Sequence, residues 1–283
     1  MSLSATSSKK RNTYLGCVCF AGALVLAKAL WDTIASPPGL EWLTLAALTL
    51  ITGSFTVRVP SSSARLSVSE TFVIASGLLF GPSVGTLTVV LDSLAMSFWL
   101  RKNKRSMIRV VFNAAAPAVA YWAAGTLFFM LADIGPGQIQ HRPLSTLVLP
   151  LFVFAATYFF TNTGLIAVAV ANEKGLPALT VWIEHFPAFG INYFVGSSVA
   201  VLLVTYAPRI DLTLLSVIVP LLLVSYATFR SSIGRLEDAT RHVTQMNEMY
   251  LATVEALAMA VDAKDQITHG HIRRVQVFTV GLA

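Results

Sequence analysis

Long apolar stretches separated by short polar segments occupy most of the first 229 residues. A membrane-spanning helix needs roughly 20 apolar residues to cross a hydrocarbon core that is about 30 Å thick. Stretches of that length lie at 13–31, 40–57, 107–131, 147–171, 188–206 and 212–229. The pattern predicts an all-α fold in which residues 1–229 form a polytopic membrane domain.

Residues 69–100 form a further apolar stretch, which is too long for one crossing and is interrupted by Gly81-Pro82. Such breaks are tolerated at membrane depth only where protein or a water-filled cavity satisfies the freed backbone groups. The stretch is therefore predicted to be either a broken hairpin of two passes or a re-entrant loop. Two passes place the basic loop 101–105 on the same side as residues 9–11, as the positive-inside rule requires, and predict about eight passes with both termini cytoplasmic.

The composition agrees with a protein whose main partner is the lipid bilayer. Hydrophobic residues make up 55% of the chain and charged residues only 12%, whereas soluble domains carry about 25% charged residues. The net charge of +6 comes from lysines and arginines at the ends of apolar stretches, so nucleic acid is not an expected partner. Cys17 and Cys19 lie inside the first stretch and are interpreted as small apolar residues.

Beyond residue 229 the sequence becomes polar and mixed in charge, and residues 230–264 are predicted to form a cytoplasmic linker helix. Two rows of residues recur at intervals of seven, a larger one at Leu236, Val243, Tyr250 and Leu257 and a smaller one at Ala239, Met246, Thr253 and Ala260. This spacing is typical of a parallel two-stranded coiled coil and predicts a parallel homodimer through 230–264. The alternative is that the same stripe packs against the following domain in a monomer.

The last segment, residues 265–283, contains the sequence DQITHGHIRRV. Side-chain oxygens of Asp265 and Thr268 are suited to open a helix, which places His271 in the first turn. The pattern D-x-x-T-x-x-H-x-x-R-V is matched by Asp265, Thr268, His271, Arg274 and Val275. Together with the preceding LATVEALAMAVDAKD, it resembles the start of the all-α HD-GYP branch of the HD phosphohydrolase superfamily.

The resemblance implies that His271 is the first ligand of a divalent metal site, with iron or manganese, that a later His-Asp pair and further residues complete. Such metals activate water for attack on a phosphodiester, and the implied substrate is cyclic-di-GMP or, alternatively, another phosphate ester. The later ligands and the Gly-Tyr-Pro motif are not among these 283 residues. We therefore expect this chain to be an inactive part of a longer reading frame that binds no metal tightly.

Spacing alone would make His271 a solvated helix residue, and the neighbouring His269 has no counterpart in the family pattern. The resemblance reverses that interpretation for His271 only in a complete protein, so whether the protein is an enzyme stays open. It also implies a location in the bacterial inner (cytoplasmic) membrane.

Polar residues within the apolar stretches are candidates for ligand sensing, since an unpaired carboxylate at membrane depth costs several kcal/mol. Asp92, in TVVLDSLAM, is the first candidate, and Arg109 at the start of the next stretch is its predicted partner. Glu70 is the second candidate. Three asparagines in different stretches either converge on a ligand or form interhelical hydrogen bonds: Asn113, Asn162 and Asn192.

Two functions fit these features. The first is a membrane-bound signalling receptor coupled to an HD-GYP metal-dependent phosphohydrolase. The second is a transporter or solute-binding integral membrane protein in which the broken hairpin forms the binding site and the cytoplasmic end is regulatory.

Overall fold

The computed structural model describes residues 2–53, 56–58, 65–67, 69–99, 107–206, 238, 241–260 and 269–282. The chain divides into two compact units, residues 1–226 and 227–283, which are described separately. The helices of the first unit are α1 (Ser2–Ala35), α2 (Glu41–Gly53), α3 (Ser69–Phe80), α4 (Pro82–Trp99), α5 (Met107–Ala132), α6 (Leu144–Lys174), α7 (Ala178–His185) and α8 (Gly190–Tyr206). The second unit contains α9 (residues 241–260) and α10 (His269–Leu282).

The predicted helical fold is confirmed with one exception. Two short antiparallel strands, β1 (Thr56–Arg58) and β2 (Arg65–Ser67), pair between α2 and α3, with Val57 opposite Leu66. They end α2 at Gly53, earlier than the apolar stretch that was predicted to reach residue 57. Because Thr56 and Val57 are β-branched and a proline follows at position 60, this segment favours an extended backbone over a further helical turn.

Three described helices are long and apolar enough to cross a membrane: Arg11–Ala35 within α1, α5 and α6. The pair α7 and α8 counts as a fourth if it is one span bent by 63°. The helix α2, with 13 residues, is only about 20 Å long and is shorter than a full crossing. The predicted stretch 212–229 lies outside the described residues, so the total of about eight passes stays a prediction.

The interrupted stretch 69–100 is a hairpin of antiparallel helices. The chain reverses at Gly81, whose φ of +97° is a conformation that glycine adopts easily. Along the two arms, Ser76 Oγ lies 2.9 Å from Thr88 Oγ1, and Ser69 Oγ lies 3.1 Å from Asp92 Oδ2. These pairs at increasing distance from the turn require α3 and α4 to run side by side in opposite directions.

The tip of the hairpin lies at the end of the bundle where α1 and α5 finish. Ser83 Oγ donates a hydrogen bond of 2.7 Å to Asp32 Oδ2, near the end of α1. A Cβ at Gly81 would lie 3.0 Å from Pro136, which follows α5. Residues 69–99 therefore form a broken helical hairpin, but the 12-residue arm α3 is only about 18 Å long, so the choice between two passes and a re-entrant loop stays open.

Aromatic side chains from α5, α6 and α8 fill the core beside this hairpin. The Tyr121 and Phe154 rings are fully buried and meet edge to face, with centroids 5.5 Å apart. Tyr121 also reaches the hairpin, where its hydroxyl donates to the Val73 carbonyl oxygen at 3.1 Å. A buried tyrosine hydroxyl needs such a partner, so this bond positions α3 against α5.

The close approach of the hairpin arms leads to a prediction about Gly85. A Cβ at Gly85 would overlap the Tyr121 ring and the Gly77 backbone, whereas a Cβ at Gly164 meets nothing within 4 Å. We expect Gly85→Ala to destabilise the protein by about 1–3 kcal/mol, as overpacking does. The matched variant Gly164→Ala should be neutral or stabilising by about 0.5–1 kcal/mol. Thermal unfolding in detergent measures both, and equal melting temperatures would contradict the described packing.

Candidate ligand-binding site

Glu70 lies in the first turn of α3, and its side chain is half-buried with the Oε1 atom fully buried. The Tyr158 hydroxyl is its hydrogen-bonding neighbour. Tyr158 stands about halfway along the 31-residue helix α6, which places Glu70 roughly 20 Å from either end of that helix. The hairpin arm α3 therefore begins near the middle of the length of α6, and Glu70 lies at that level.

Each of the two hairpin arms contributes a buried acceptor that lacks a partner. Glu70 Oε1 has no hydrogen-bond partner among the described residues. On α4, Asp92 Oδ2 accepts from Ser69, but the buried Asp92 Oδ1 has no partner in the same part of the chain. The end of α2 covers this second oxygen, since a Cβ at Gly53 would lie 2.5 Å from it.

The predicted pairing of Asp92 with Arg109 is wrong. Arg109 Nη2 instead lies 2.7 Å from Glu173 Oε1, near the end of α6. The two residues lie at different levels along the bundle. Arg109 is in the first turn of α5, whereas Asp92 is beside Ser69, the first residue of α3. None of the ion pairs found in the described residues involves Glu70 or Asp92, so no cationic side chain neutralises them there.

Hydroxyl and amide groups from α6 and α8 complete the site. Tyr158 and Tyr193 meet edge to face with ring centroids 4.9 Å apart. Asn162 lies one turn after Tyr158, is only 9% exposed, and donates from Nδ2 to the Tyr193 hydroxyl oxygen at 2.7 Å. Asn162 Oδ1 is a third buried acceptor without a partner in the described part of the chain.

The three asparagines do not converge. Asn162 belongs to the site beside Glu70, whereas Asn113 is exposed in a cavity near the start of α5 and Asn192 is half-buried on α8. Asn162 forms an interhelical hydrogen bond through its amide nitrogen, as one of the two predicted roles requires, and its role in ligand binding stays a prediction. Sequence reasoning missed Tyr158 and Tyr193. A tyrosine inside an apolar stretch is a usable signal, since its hydroxyl needs a polar partner.

The partnerless acceptors of Glu70, Asp92 and Asn162 are all oxygen atoms, two from carboxylates and one from an amide. Carboxylate and carbonyl oxygens suit hard cations, while iron and manganese sites of the HD type also use imidazole. The described residues contain no group of three or more His, Cys, Asp or Glu side chains that could hold a metal ion. Carboxylate and amide oxygens of this kind suit a small cation of low charge or a ligand ammonium group.

The motif residues near the C-terminus are only partly described. The helix α10 begins at His269, so His271 falls in its first turn and Arg274 in the next. Asp265 and Thr268 lie outside the described residues, as does the side chain of His271. The iron or manganese site implied by the family resemblance thus stays a prediction.

Within its described residues, this is a helical protein with three or four apolar helices of membrane-spanning length and two carboxylates that each have a buried, partnerless oxygen. Comparison with family models, with curated proteins and with solved structures finds no match for this chain. Its function must therefore be argued from the geometry of the site.

Proposed function

We propose that this protein is a membrane-bound signalling receptor whose Glu70 and Asp92 carboxylates bind a small cation. The observation that carries the proposal is the pair of buried, partnerless oxygens, Glu70 Oε1 and Asp92 Oδ1, with which no arginine or lysine side chain among the described residues forms an ion pair. Leaving charged carboxylates in that state costs several kcal/mol, and a bound cation removes this cost.

The charges at one end of the bundle support an orientation for the proposed receptor. Arg11 at the start of the α1 span and Arg109 at the start of α5 line the same cavity. Lys174, the last residue of α6, directly follows Glu173, which also lines this cavity. By the positive-inside rule this basic end is cytoplasmic. The arrangement supports a multi-pass protein of the bacterial inner membrane with its N-terminus inside, and the passes beyond α8 would bring the C-terminus to the same side.

The proposed output runs through α9. Its heptad residues are exposed within one chain: Val243 (68%), Met246 (67%), Tyr250 (67%) and Leu257 (62%). The positions five residues after Leu236, Val243 and Tyr250 are charged, at Arg241, Glu248 and Glu255. An apolar stripe opposite a charged row suits a parallel homodimer, and ligand binding would act by favouring one of two arrangements of the helix pair. Leu236 and Ala239 lie outside the described residues.

The domain that receives the signal is proposed from the family resemblance of the 265–283 segment. In a complete protein, His271 and later ligands would hold iron or manganese, and the completed metal site would hydrolyse cyclic-di-GMP. We expect the reading frame beyond codon 283 to encode a His-Asp pair followed by Gly-Tyr-Pro. Sequencing that DNA tests the enzymatic output, and a stop codon directly after codon 283 would eliminate it while leaving the receptor proposal intact.

Cation binding itself is tested on the purified full chain in a neutral detergent. Sodium, potassium, calcium and methylammonium chlorides are titrated in turn, with choline chloride as the ionic-strength control, and thermal unfolding is followed. A cation at about 100 times its Kd stabilises the protein by about 2.7 kcal/mol. The proposal requires a saturable rise in melting temperature with at least one small cation, and identical responses to all five salts would contradict it.

A transporter is the second candidate, favoured by the two short helices that meet near mid-depth. The helix α2 ends at Gly53 and α3 begins at Ser69, and both ends contact Asp92. Transporters place their sites at such interrupted helices. Proteoliposome flux distinguishes the candidates, because transport predicts cation flux that Asp92→Asn abolishes, whereas a receptor binds the cation without flux.

A further inference from the structure

We propose a second ligand site, for the headgroup of an anionic phospholipid, at the basic end of the first unit. A cavity of about 420 Å³ lies there between α1, α5 and α6. Its polar lining comes from Arg11, Asn12, Arg109, Asn113 and Glu173. The site is independent of Glu70 and Asp92 and is not implied by the proposed receptor function.

The polar lining is suited to a phosphate group. Two guanidinium groups and two side-chain amides face the cavity against a single carboxylate. Arg109 uses Nη2 for the ion pair with Glu173 and keeps its other N–H donors. The side-chain hydrogen bond from Arg11 Nε to Asn12 Oδ1 is long, at 3.4 Å, and both groups are solvent-exposed. Arginine matches phosphate oxygens in a bidentate manner, so the pair Arg11 and Arg109 forms an anion receptor.

The start of α5 adds to this attraction. Ile108 and Arg109, which line the cavity, lie in the first turn of α5. Backbone N–H groups in a first helical turn have no carbonyl partner within the helix, and together with the helix dipole they favour an anion. The cavity thus combines side-chain charge with helix-terminal donors.

The floor of the cavity indicates a lipid rather than free phosphate. It is apolar, with Leu15, Phe112, Ile166 and Val170 below the arginines. This floor is held in place because the Tyr14 hydroxyl donates to the Leu165 carbonyl oxygen at 2.9 Å, joining α1 to α6. An inorganic anion forms no favourable contacts with such an apolar surface, whereas a lipid acyl chain packs against it.

The depth of the cavity also fits a lipid headgroup. The membrane-spanning part of α1 starts at Arg11 and α5 starts at Met107, so the arginines lie where the apolar segments end. Basic cavities between helices at the cytoplasmic face are where acidic headgroups bind. The occupant is therefore a phospholipid such as phosphatidylglycerol, with its phosphate on the arginines and one acyl chain along α1 and α6.

The test measures lipid binding to the full chain in neutral detergent, with phosphatidylglycerol and phosphatidylcholine of identical acyl chains. The unmodified protein should prefer phosphatidylglycerol. Arg11→Gln and Arg109→Gln should each weaken its binding roughly fivefold, the usual effect of one basic residue near a lipid surface. The control Arg142→Gln removes the same charge at the opposite end of the bundle, where Arg142 contacts the Asp133 carbonyl oxygen. This variant should leave the binding of phosphatidylglycerol unchanged.

Glu173→Gln separates a binding role from a structural one. If the arginines bind phosphate, removing the competing carboxylate should tighten lipid binding, whereas Arg109→Gln weakens it. If the ion pair only joins α5 to α6, both variants should weaken binding equally, and this outcome overturns the proposal. Equal binding of the two lipids, or displacement of the lipid by millimolar inorganic phosphate, would also overturn it. Glu70→Gln should leave lipid binding unchanged, which separates this site from the cation site.

Discussion

Replacing Glu70 by glutamine is expected to abolish stabilisation by the cation while leaving the ligand-free protein at least as stable as the unmodified one. Glutamine keeps the size of the side chain and its ability to interact with Tyr158, but it removes the charge. Because Glu70 Oε1 is buried without a partner in the described residues, its charge is uncompensated there and disfavours the ligand-free fold. The measurement is thermal unfolding in detergent across the titration of the stabilising cation.

The expected size of this effect is large. At about 100 times the Kd, the unmodified protein gains about 2.7 kcal/mol, and the whole gain should disappear in the variant. Asp92→Asn should reduce the gain similarly, since Asp92 Oδ1 is the other partnerless carboxylate oxygen. The matched control is Glu41→Gln, which removes the same charge from an exposed residue at the start of α2. A titration curve for Glu70→Gln that overlays the unmodified curve would show that the cation binds elsewhere.

Disulfide cross-linking along α9 is expected to be near complete at heptad positions and nearly absent on the opposite face. In a chain freed of its own thiols by Cys17→Ser and Cys19→Ser, the test variants are Val243→Cys and Tyr250→Cys. Identical residues at these positions of a parallel pair face each other across the dimer axis. In such a pair the two Cβ atoms would approach the separation of about 3.5–4.5 Å that a disulfide requires, whereas residues on the outer faces would be more than one helix diameter apart, about 10 Å.

Glu248→Cys serves as the control for this experiment. Glu248 lies in the charged row of α9 and is exposed, like Val243. Its thiol should therefore be as accessible to oxidant as those of the test variants, but it should not find a partner. Comparable cross-linking of all three variants would indicate random collision. Absence of cross-linking at residues 243 and 250 would favour the monomeric alternative, in which the stripe packs within one chain.

The helical architecture could be predicted from the sequence to a large extent. Apolar length predicts α1, α5 and α6, which the structure shows as helices long enough to cross a membrane. The glycine and proline at positions 81 and 82 predict the break between α3 and α4. Both signals are local, because helix length depends on a run of apolar residues and chain reversal depends on a residue that accepts a positive φ.

The boundaries near α2 were predicted less well. The apolar stretch 40–57 suggested a full crossing, but α2 ends at Gly53 and the chain enters β1 at Thr56. Hydropathy does not distinguish an apolar helix from an apolar strand. The choice depends on strand pairing, as between Val57 and Leu66, which only the folded chain provides.

The sequence by itself determined some polar residues of the candidate site, but not its tyrosines, its hydrogen-bond partners, or which of the three asparagines belongs to it. Glu70, Asp92 and Asn162 were identifiable because a polar group in an apolar stretch is energetically costly wherever it lies. Tertiary structure decided that Arg109 binds Glu173 instead of Asp92, and that Tyr158 and Tyr193 complete the site. The physical reason is that partnership depends on the rotation and depth of each helix. Packing between helices sets both quantities, and a one-dimensional pattern of hydrophobic and polar residues does not contain them.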